Sequence, residues 1–523
     1  YALLFGDGHY DFRGIEDSAE DPLGPNHVLP YETERTILQE ASYTSDDYFG
    51  LLDDNEGVWA WPGINGIRPF QGVVEAMDIG IGRIPARTIE EARGVVAKIK
   101  HYESPETQGR WRTRYTFVAD DEYPTTRGDG DLHTQNADVV AEDVSARFPE
   151  MKIDKVYAIS YPAESTPNGQ QQVPEATRAV VRLIDEQGSL LWNYSGHGGY
   201  AGLADEDLLT LEDIELLNNF DKLTTFVTAT CSFGKFDMNR RQSGAEALLL
   251  KSDGGAVALM TTVRLVVTSP STQLYNLGLN LELNQHLFTR DEQGLPRRLG
   301  DVMRITKNSN RGLQGNNRKF NLLGDPTMRL GLPRQSVDVT RVGGIDVNAR
   351  TAPLQALGRV EIEGEVRGFD GMLDVGYNGV AELSVFDAAR EVPVEVDGGG
   401  RTTLPGNAYD VQNDLIYQGK VRVEAGRFKT SFVVPKDISY RNRAGRVAVY
   451  VQSEERGIDG FGATANVIVG GTSDNPVQDA DGPDVNLYLN DDPGFVSGSL
   501  TTPEPTLVVD LNDDTGLNTT GTG

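Results

Sequence analysis

The amino-acid sequence predicts an α/β fold with a mostly parallel sheet covered by helices, followed by an all-β region. Before residue 333, apolar strand-like runs alternate with amphipathic helix-like stretches, which favours parallel strands joined by helices. After residue 333 the helical periodicity ends, and short alternating runs recur between glycine and aspartate turns, as in a β-sandwich. The strand-like runs of the first part are 1–6, 79–82, 115–120, 155–159, 190–194, 226–230 and 256–261, and its helix-like stretches include 88–103, 132–147 and 175–186.

The all-β region shows strand-like runs whose side chains alternate between apolar and polar. These runs are 358–366, 380–385, 427–434 and 446–452. A stretch rich in Gly, Ser, Asn, Asp and Pro at 470–482 is typical of a linker. Strand-like runs return at 485–489 and 506–511, and they predict the start of a further β domain.

Charge and composition exclude several classes of protein. The formal net charge of the 523 residues is −30, and the acidic residues are spread along the chain, which argues against nucleic acid as a partner. A single cysteine rules out an internal disulfide framework and a zinc site built from several thiolates. The chain opens on a strand-like run without an initiator methionine, so we expect it to be a piece of a longer protein.

Two strand-like runs end in residues that suit a nucleophile and a base. Cys231 directly follows the run 226–230, and His197 lies among glycines just after the run 190–194. Open α/β sheets place their ligand sites at such strand ends. An ordinary thiol is only a few per cent ionised at neutral pH, so a nucleophilic cysteine needs a neighbouring imidazole or backbone donors. The alternative is a buried cysteine that packs as a small apolar residue and a histidine in a turn.

These two segments carry a resemblance to a known family. Residues 193–199 (Asn-Tyr-Ser-Gly-His-Gly-Gly) and 228–237 (Thr-Ala-Thr-Cys-Ser-Phe-Gly-Lys-Phe-Asp) resemble the histidine and cysteine motifs of the gingipain-type cysteine peptidases of family C25. The resemblance extends over about residues 1–332 and implies a caspase-like fold. Within the family, the chain is most similar to the C-terminal signal peptidases and sortases of type IX secretion.

The resemblance implies a role for individual residues. Cys231 would be the nucleophile and His197 the general acid and base, while the backbone N–H groups of Gly198 and Cys231 would stabilise the oxyanion. Asp78 lies where the gingipains have a glutamate behind the histidine, with Glu75 as the alternative.

Further expectations concern substrate, metal and domains. Thr262 and Arg264 end the strand that follows the cysteine segment, where related enzymes pair with the substrate backbone, so they are candidate substrate-binding residues. We expect no required cofactor. Residues 7–11 and 128–131 could each collect oxygen ligands for structural calcium, but neither has the spacing of an EF-hand, and solvated turns are the favoured interpretation. The predicted parts are two peptidase subdomains at 1–105 and 106–332, an immunoglobulin-like sandwich at 333–472, and a linker with the start of a further β domain at 473–523.

The expected function is therefore that of a cell-surface, outer-membrane-associated cysteine endopeptidase and transpeptidase. The family implies cargo proteins with a C-terminal signal domain, the outer-membrane β-barrel PorV and a lipopolysaccharide acceptor as partners. Two alternatives stay open: a non-catalytic surface scaffold that keeps the peptidase fold, and a general secreted gingipain-like protease. Hydrolysis and transfer share one acyl-enzyme, so the sequence does not separate them.

Overall fold

A computed structural model describes residues 1–11, 26–33, 43–54, 56, 76–121, 130–309, 316–394, 404–478, 482–490, 494–496 and 498–513. The chain forms two compact units. The first consists of Tyr1–Arg334, Glu391–Val411 and Gly457–Asp459, and the second of Gln335–Arg390, Gln412–Arg456 and Gly460–Gly523. The finer division at residues 105, 332 and 472 stays a prediction.

The first unit is built around an eight-stranded sheet in the order β1-β2-β13-β12-β11-β7-β3-β4. Its strands are β1 (Ala2–Phe5), β2 (Ile81–Ile84), β3 (Arg114–Ala119), β4 (Lys152–Tyr157), β7 (Leu191–Ser195), β11 (Thr224–Ala229), β12 (Ala256–Thr262) and β13 (Phe320–Leu323). Short strands form three small sheets: β5 (Glu164–Ser165) with β6 (Gln171–Gln172); β8 (Gly198–Gly199), β9 (Gly202–Leu203) and β10 (Leu209–Thr210); and β19 (Arg390–Pro393) with β20 (Ala408–Val411).

Strand direction fixes where the functional residues meet. Every neighbouring pair in the large sheet is parallel except β12 and β13, which are antiparallel. The carboxyl ends of β3, β7, β11 and β12 therefore share one edge of the sheet. The predicted mostly parallel sheet is confirmed.

The central strands are buried along their whole length because both of their faces are covered. Every residue of β7, β11 and β12 is buried, as expected for parallel strands packed between helices. Trp192 of β7 and Phe226 of β11 lie side by side in this core, with ring centroids 5.0 Å apart. This packing holds the two strands that precede His197 and Cys231 in one rigid layer.

Helices join these strands, and some of them begin at side-chain caps. They are α1 (Ile89–Tyr102), α2 (Leu132–Arg147), α3 (Pro174–Asp185), α4 (Leu211–Leu216), α5 (Gly244–Leu250), α6 (Tyr275–Leu287) and α7 (Leu299–Asn308). The Thr88 side chain accepts the Glu91 N–H at the start of α1, and Ser243 with Glu246 forms a capping box at α5. Within the described ranges, none of the helices combines the length and apolar character needed to cross a lipid bilayer.

The second unit is all-β, as predicted. Its strands are β14 (Gln335–Val342), β15 (Ile345–Asp346), β16 (Ala352–Ala356), β17 (Arg359–Arg367), β18 (Gly379–Phe386), β21 (Leu415–Val423), β22 (Arg427–Val433), β23 (Arg443–Ser453), β24 (Ile458–Thr472), β25 (Asp484–Leu489) and β26 (Leu507–Asn512). The main sheet runs β21-β18-β23-β24-β14-β17-β22. Tyr417 of β21 stacks on Phe432 of β22 at 4.3 Å between ring centroids, so the two edge strands approach and nearly close the sheet. Its immunoglobulin-like character stays a prediction.

Candidate active site

His197 and Cys231 follow neighbouring parallel strands at the same level. In the register of β7 with β11, Ser195 lies opposite Ala229, and each candidate residue comes two positions later. Both side chains therefore emerge at the carboxyl edge of the sheet, as the sequence predicts. Gly198 and Thr230 also approach here, since a Cβ placed on Gly198 would lie 2.7 Å from the Thr230 hydroxyl oxygen.

The backbone of His197 is held from both sides. Its N–H donates to the Asp120 carboxylate at 2.7 Å, and its carbonyl accepts from the Tyr194 hydroxyl at 2.6 Å and from the Ala204 N–H at 3.0 Å. Asp120 directly follows β3, which pairs with β7 so that Ala119 lies opposite Ser195. The histidine segment is thus tied to the neighbouring strand end before any substrate binds.

A second imidazole contacts His197. The Nε2 atoms of His133 and His197 are 3.4 Å apart, and the two rings are nearly perpendicular with centroids 4.8 Å apart. His133 is buried in the first turn of α2. Sequence reasoning did not identify Asp120 or His133, because their proximity to His197 depends on the strand order, which places β3 beside β7.

Cys231 is half-buried and not disulfide-bonded, and its Sγ lies 3.8 Å from the carbonyl oxygen of Val266. The next residue, Ser232, has a φ of 57°, a left-handed conformation that turns the chain sharply after the cysteine. Behind this turn, the Gly234 N–H donates to the Thr262 carbonyl at 2.8 Å and the Ser232 N–H to the Arg264 carbonyl at 3.3 Å. The nucleophile loop is therefore fastened to the end of β12.

The predicted substrate-binding residues help to hold this loop. Thr262 is fully buried, and its hydroxyl donates to the Thr230 carbonyl. The Arg264 guanidinium binds both carboxylate oxygens of the fully buried Asp237 and lies 3.8 Å from Glu32. Burial, together with the nearby Asp237, raises the pKa of Glu32 to about 9. Direct substrate contact by Thr262 and Arg264 stays a prediction.

Asp78 lies on another part of the sheet. It is exposed just before β2, and its carboxylate accepts the Leu52 N–H at 2.8 Å. The sheet order places β13, β12 and β11 between β2 and β7, so the structure does not bring Asp78 beside His197. Its alternative, Glu75, lies outside the described residues. The catalytic role of Asp78 stays a prediction.

Two groups of side chains in the described part of the chain have the spacing of metal ligands. One consists of Asp120, His133 and His197, and the other of Asp120, Asp121 and Glu206, with ligand atoms within 4.8 Å of one another in each group. The calcium expectation at 7–11 matches neither group, and residues 128 and 129 lie outside the described ranges. Asp7 instead accepts the Gly8 N–H at 2.8 Å, and burial raises its pKa to about 7.

Comparison with known proteins gives a family match over most of the first unit. The model of a family described as peptidase family C25 matches residues 1–331. The chain is similar to dimeric latent PorU from Porphyromonas gingivalis, with 24% identity and a TM-score of 0.38, over 100% of this chain and 41% of that one. It is also similar to the Arg-specific proteinase gingipain R, with 16% identity and a TM-score of 0.41, over 82% and 79% of the respective chains.

A complex of the pro- and mature domains of RgpB from P. gingivalis matches with 16% identity and a TM-score of 0.40, over 82% of this chain and 81% of that one. The comparison with curated proteins returns no match. The chain spans less than half the length of the PorU chain that it matches. The predicted resemblance to gingipain-type peptidases is confirmed by the family match, and the observed sheet agrees with the predicted mostly parallel α/β fold.

Proposed function

The chain belongs to peptidase family C25, a family of cysteine peptidases, and we propose that Cys231 and His197 form its catalytic pair. The observation that carries this proposal is the parallel register of β7 and β11, which brings a thiol and an imidazole to the same level at adjacent strand ends. Cys231 is the only cysteine in the sequence, so a cysteine nucleophile in this chain can only be this residue.

In the proposed reaction, the Cys231 sulfur attacks the carbonyl carbon of the scissile peptide bond as His197 accepts the thiol proton. The carbonyl oxygen becomes an oxyanion, for which the backbone N–H groups of Gly198 and Cys231 are the proposed donors. When the C–N bond breaks, His197 returns the proton to the leaving amine, and a thioester remains on Cys231. Water or an amine then attacks the thioester and releases the acid or a new amide.

Local groups have to favour this chemistry against a net charge of −30. Asp120 accepts the His197 N–H at 2.7 Å, which fixes the histidine segment beside the end of the neighbouring strand. An imidazolium beside a cysteine sulfur favours the thiolate in general. The fixed position of the histidine segment supports the proposal of His197 as the residue that activates Cys231.

The proposed substrate is a cargo protein of type IX secretion. We propose that the enzyme works at the cell surface in association with the outer membrane and PorV, where it removes the C-terminal signal domain of the cargo. The acyl group would then pass to an amine of a lipopolysaccharide acceptor. Support comes from the similarity of the motif segments to the signal peptidases of the family. Because the chain spans less than half the length of PorU, the activity of the whole protein belongs to the proposal.

The test uses the full-length protein mixed with a fusion that ends in a signal domain and with a small amine, with products read by intact mass. The proposal predicts cleavage before the signal domain and an amine adduct on the cargo, both lost in Cys231→Ala. Cleavage without the adduct would limit the activity to hydrolysis, and equal cleavage of unrelated unfolded proteins would favour a general protease. The absence of any Cys231-dependent product would contradict the proposal and favour the non-catalytic scaffold.

A further inference from the structure

A buried asparagine clamps the chain beside the proposed nucleophile. Residues 265–268, the clamped segment, form an irregular stretch after β12, and the Val266 carbonyl oxygen within it lies 3.8 Å from the Cys231 Sγ. At the next position, the Val267 N–H donates to the Asn316 side-chain oxygen at 3.0 Å. The Val267 carbonyl accepts from the Asn316 amide at 2.6 Å. One side chain thus binds both backbone groups of the residue that follows Val266.

The clamp is itself fixed to the strand that precedes Cys231. Asn316 is 2% exposed, and its amide also donates to the side-chain oxygen of Asn276 at 2.7 Å. Asn276 lies on α6 and is 5% exposed, and its own amide donates at 3.4 Å to the carbonyl of Ala229, the last residue of β11. Two buried amides therefore connect the clamped segment with the strand end that carries the cysteine.

Other contacts hold the clamped segment on both sides of Val266. The Lys319 Nζ donates to the Leu265 carbonyl at 2.6 Å. The amide of Asn136, from α2, donates to the Thr268 hydroxyl at 3.0 Å. With its neighbours held in this way, the Val266 carbonyl cannot turn away from the sulfur without breaking several hydrogen bonds.

A carbonyl oxygen beside the sulfur affects the two forms of the thiol differently. The S–H group is a weak donor to such an oxygen, whereas the thiolate has no proton to donate. A hydrogen bond made only by the neutral form disfavours the charged form, and the thiolate is the form that reacts. We propose that Asn316 is a positioning residue that holds the Val266 carbonyl against the Cys231 thiol and thereby restrains its reactivity. This role rests on the proposed function of Cys231 as the nucleophile.

The opposite end of β12 provides a matched control. Asn219 is 1% exposed, and it accepts the Gly255 N–H at 2.7 Å and donates to the Gly255 carbonyl at 3.0 Å. Gly255 directly precedes β12, whereas the clamped segment follows it. Asn219→Ala and Asn316→Ala therefore remove the same kind of buried amide, and neither changes the charge of the protein. They differ in their distance along β12 from the cysteine.

The experiment measures the rate at which iodoacetamide alkylates Cys231, followed by intact mass between about pH 6 and pH 9 in wild type and both variants. Every adduct on a thiol reports on this residue, since the sequence has one cysteine. We expect Asn316→Ala to react about threefold faster than wild type or more at pH 6, because the released carbonyl no longer favours the neutral thiol. The gain should shrink towards pH 9, where a thiol is mostly ionised in any case. Asn219→Ala should follow the wild-type curve.

The shape of the pH profile separates this role from a general loosening of the structure. Asn316→Ala leaves every charged and titratable group of the segments around Cys231 in place, namely Glu32, His197, Lys235, Asp237, Arg264 and Lys319. A gain of the same size at every pH would indicate easier access to the sulfur and would overturn the proposal. Rates equal to or below wild type, or an equal gain in Asn219→Ala, would overturn it as well.

A second pair of variants applies if Asn316→Ala does not fold. Asn276→Ala removes the support of the clamp, and Asn284→Ala on the same helix removes an amide that donates to Asn280 instead. Asn276→Ala should show the same pH-dependent gain at a smaller size, and identical curves for this pair would contradict the proposal. Alkylation requires no peptidase activity, so failure of the proposed function would appear separately, as the absence of a Cys231-dependent cleavage product.

Discussion

Replacement of Arg264 by glutamine is expected to destabilise the first unit strongly. The guanidinium of Arg264 pairs with Asp237, whose side chain is 0% exposed, while that of Arg264 is 11% exposed. Burial and the nearby Asp237 raise the pKa of the neighbouring Glu32 to about 9. Arg264→Gln would leave the Asp237 carboxylate buried without its cation.

The expected loss is about 3–5 kcal/mol, the general cost of removing one member of a buried ion pair. Arg178→Gln is the matched control, because Arg178 and Glu175 lie 4.0 Å apart with side chains 69% and 58% exposed. A pair of that kind contributes about 0–1 kcal/mol. Both substitutions replace an arginine by glutamine, and the two ion pairs differ in how deeply they are buried.

Urea unfolding followed by tryptophan fluorescence measures the difference. All four tryptophans precede residue 193, so the signal reports on the first unit. Linear extrapolation then gives the free energy of unfolding of each variant. The double variant Asp237→Asn/Arg264→Gln should recover part of the loss, since it removes the unpaired charge. A loss for Arg264→Gln no larger than that for Arg178→Gln would refute the reasoning.

Two further predictions concern the same region of the sheet. Gly198→Ala should lower kcat/KM about tenfold or more, because a Cβ on Gly198 would lie 2.7 Å from the Thr230 hydroxyl oxygen, next to Cys231. Gly199→Ala should stay near wild type, because a Cβ at that position meets nothing within 4 Å. Equal kcat/KM values in the two variants would contradict the expected crowding beside Cys231. For Glu32, whose ordinary pKa of 4.5 rises to about 9 on folding, the folded state keeps a proton that the unfolded chain releases, so stability falls as pH rises from 4.5 to 9. Urea unfolding at several pH values should show this slope reduced in Glu32→Gln and retained in Glu215→Gln, which replaces an exposed glutamate on α4.

The sequence predicted the elements of the first unit closely. The helix-like stretch 132–147 coincides with α2 (Leu132–Arg147), and the run 226–230 overlaps β11 (Thr224–Ala229). Both segments carry local signals, since one is a long stretch without Gly or Pro and the other is apolar and β-branched. The importance of β3 for the site was harder to predict. Hydrophobic periodicity identifies a strand, but it does not show which strands lie beside it in the sheet.

The parts of the site that sequence reasoning missed depend on strand order. His197 and Cys231 could be identified because each stands beside its own strand in a recognisable segment. Asp120, His133 and Glu206 are ordinary polar residues in the sequence, and they meet only because β3 lies beside β7 in the sheet. Asp78 shows the opposite case. Its segment matches the family, but the match does not reveal that other strands lie between β2, which Asp78 precedes, and β7, which precedes His197. A motif shows where reactive residues lie along the chain, while the strand order determines which other side chains lie beside them.

The most direct test of the central claim is the rate at which Cys231 reacts with iodoacetamide across pH in wild type, His197→Ala and His286→Ala. His286 lies on α6 and pairs with Glu282 at 3.2 Å, so its variant controls for the loss of an imidazole. If His197 activates the thiol, alkylation at pH 7 should slow by about tenfold in His197→Ala and stay at the wild-type rate in His286→Ala. Equal rates in all three proteins would contradict the assignment of His197 and Cys231 as the catalytic pair.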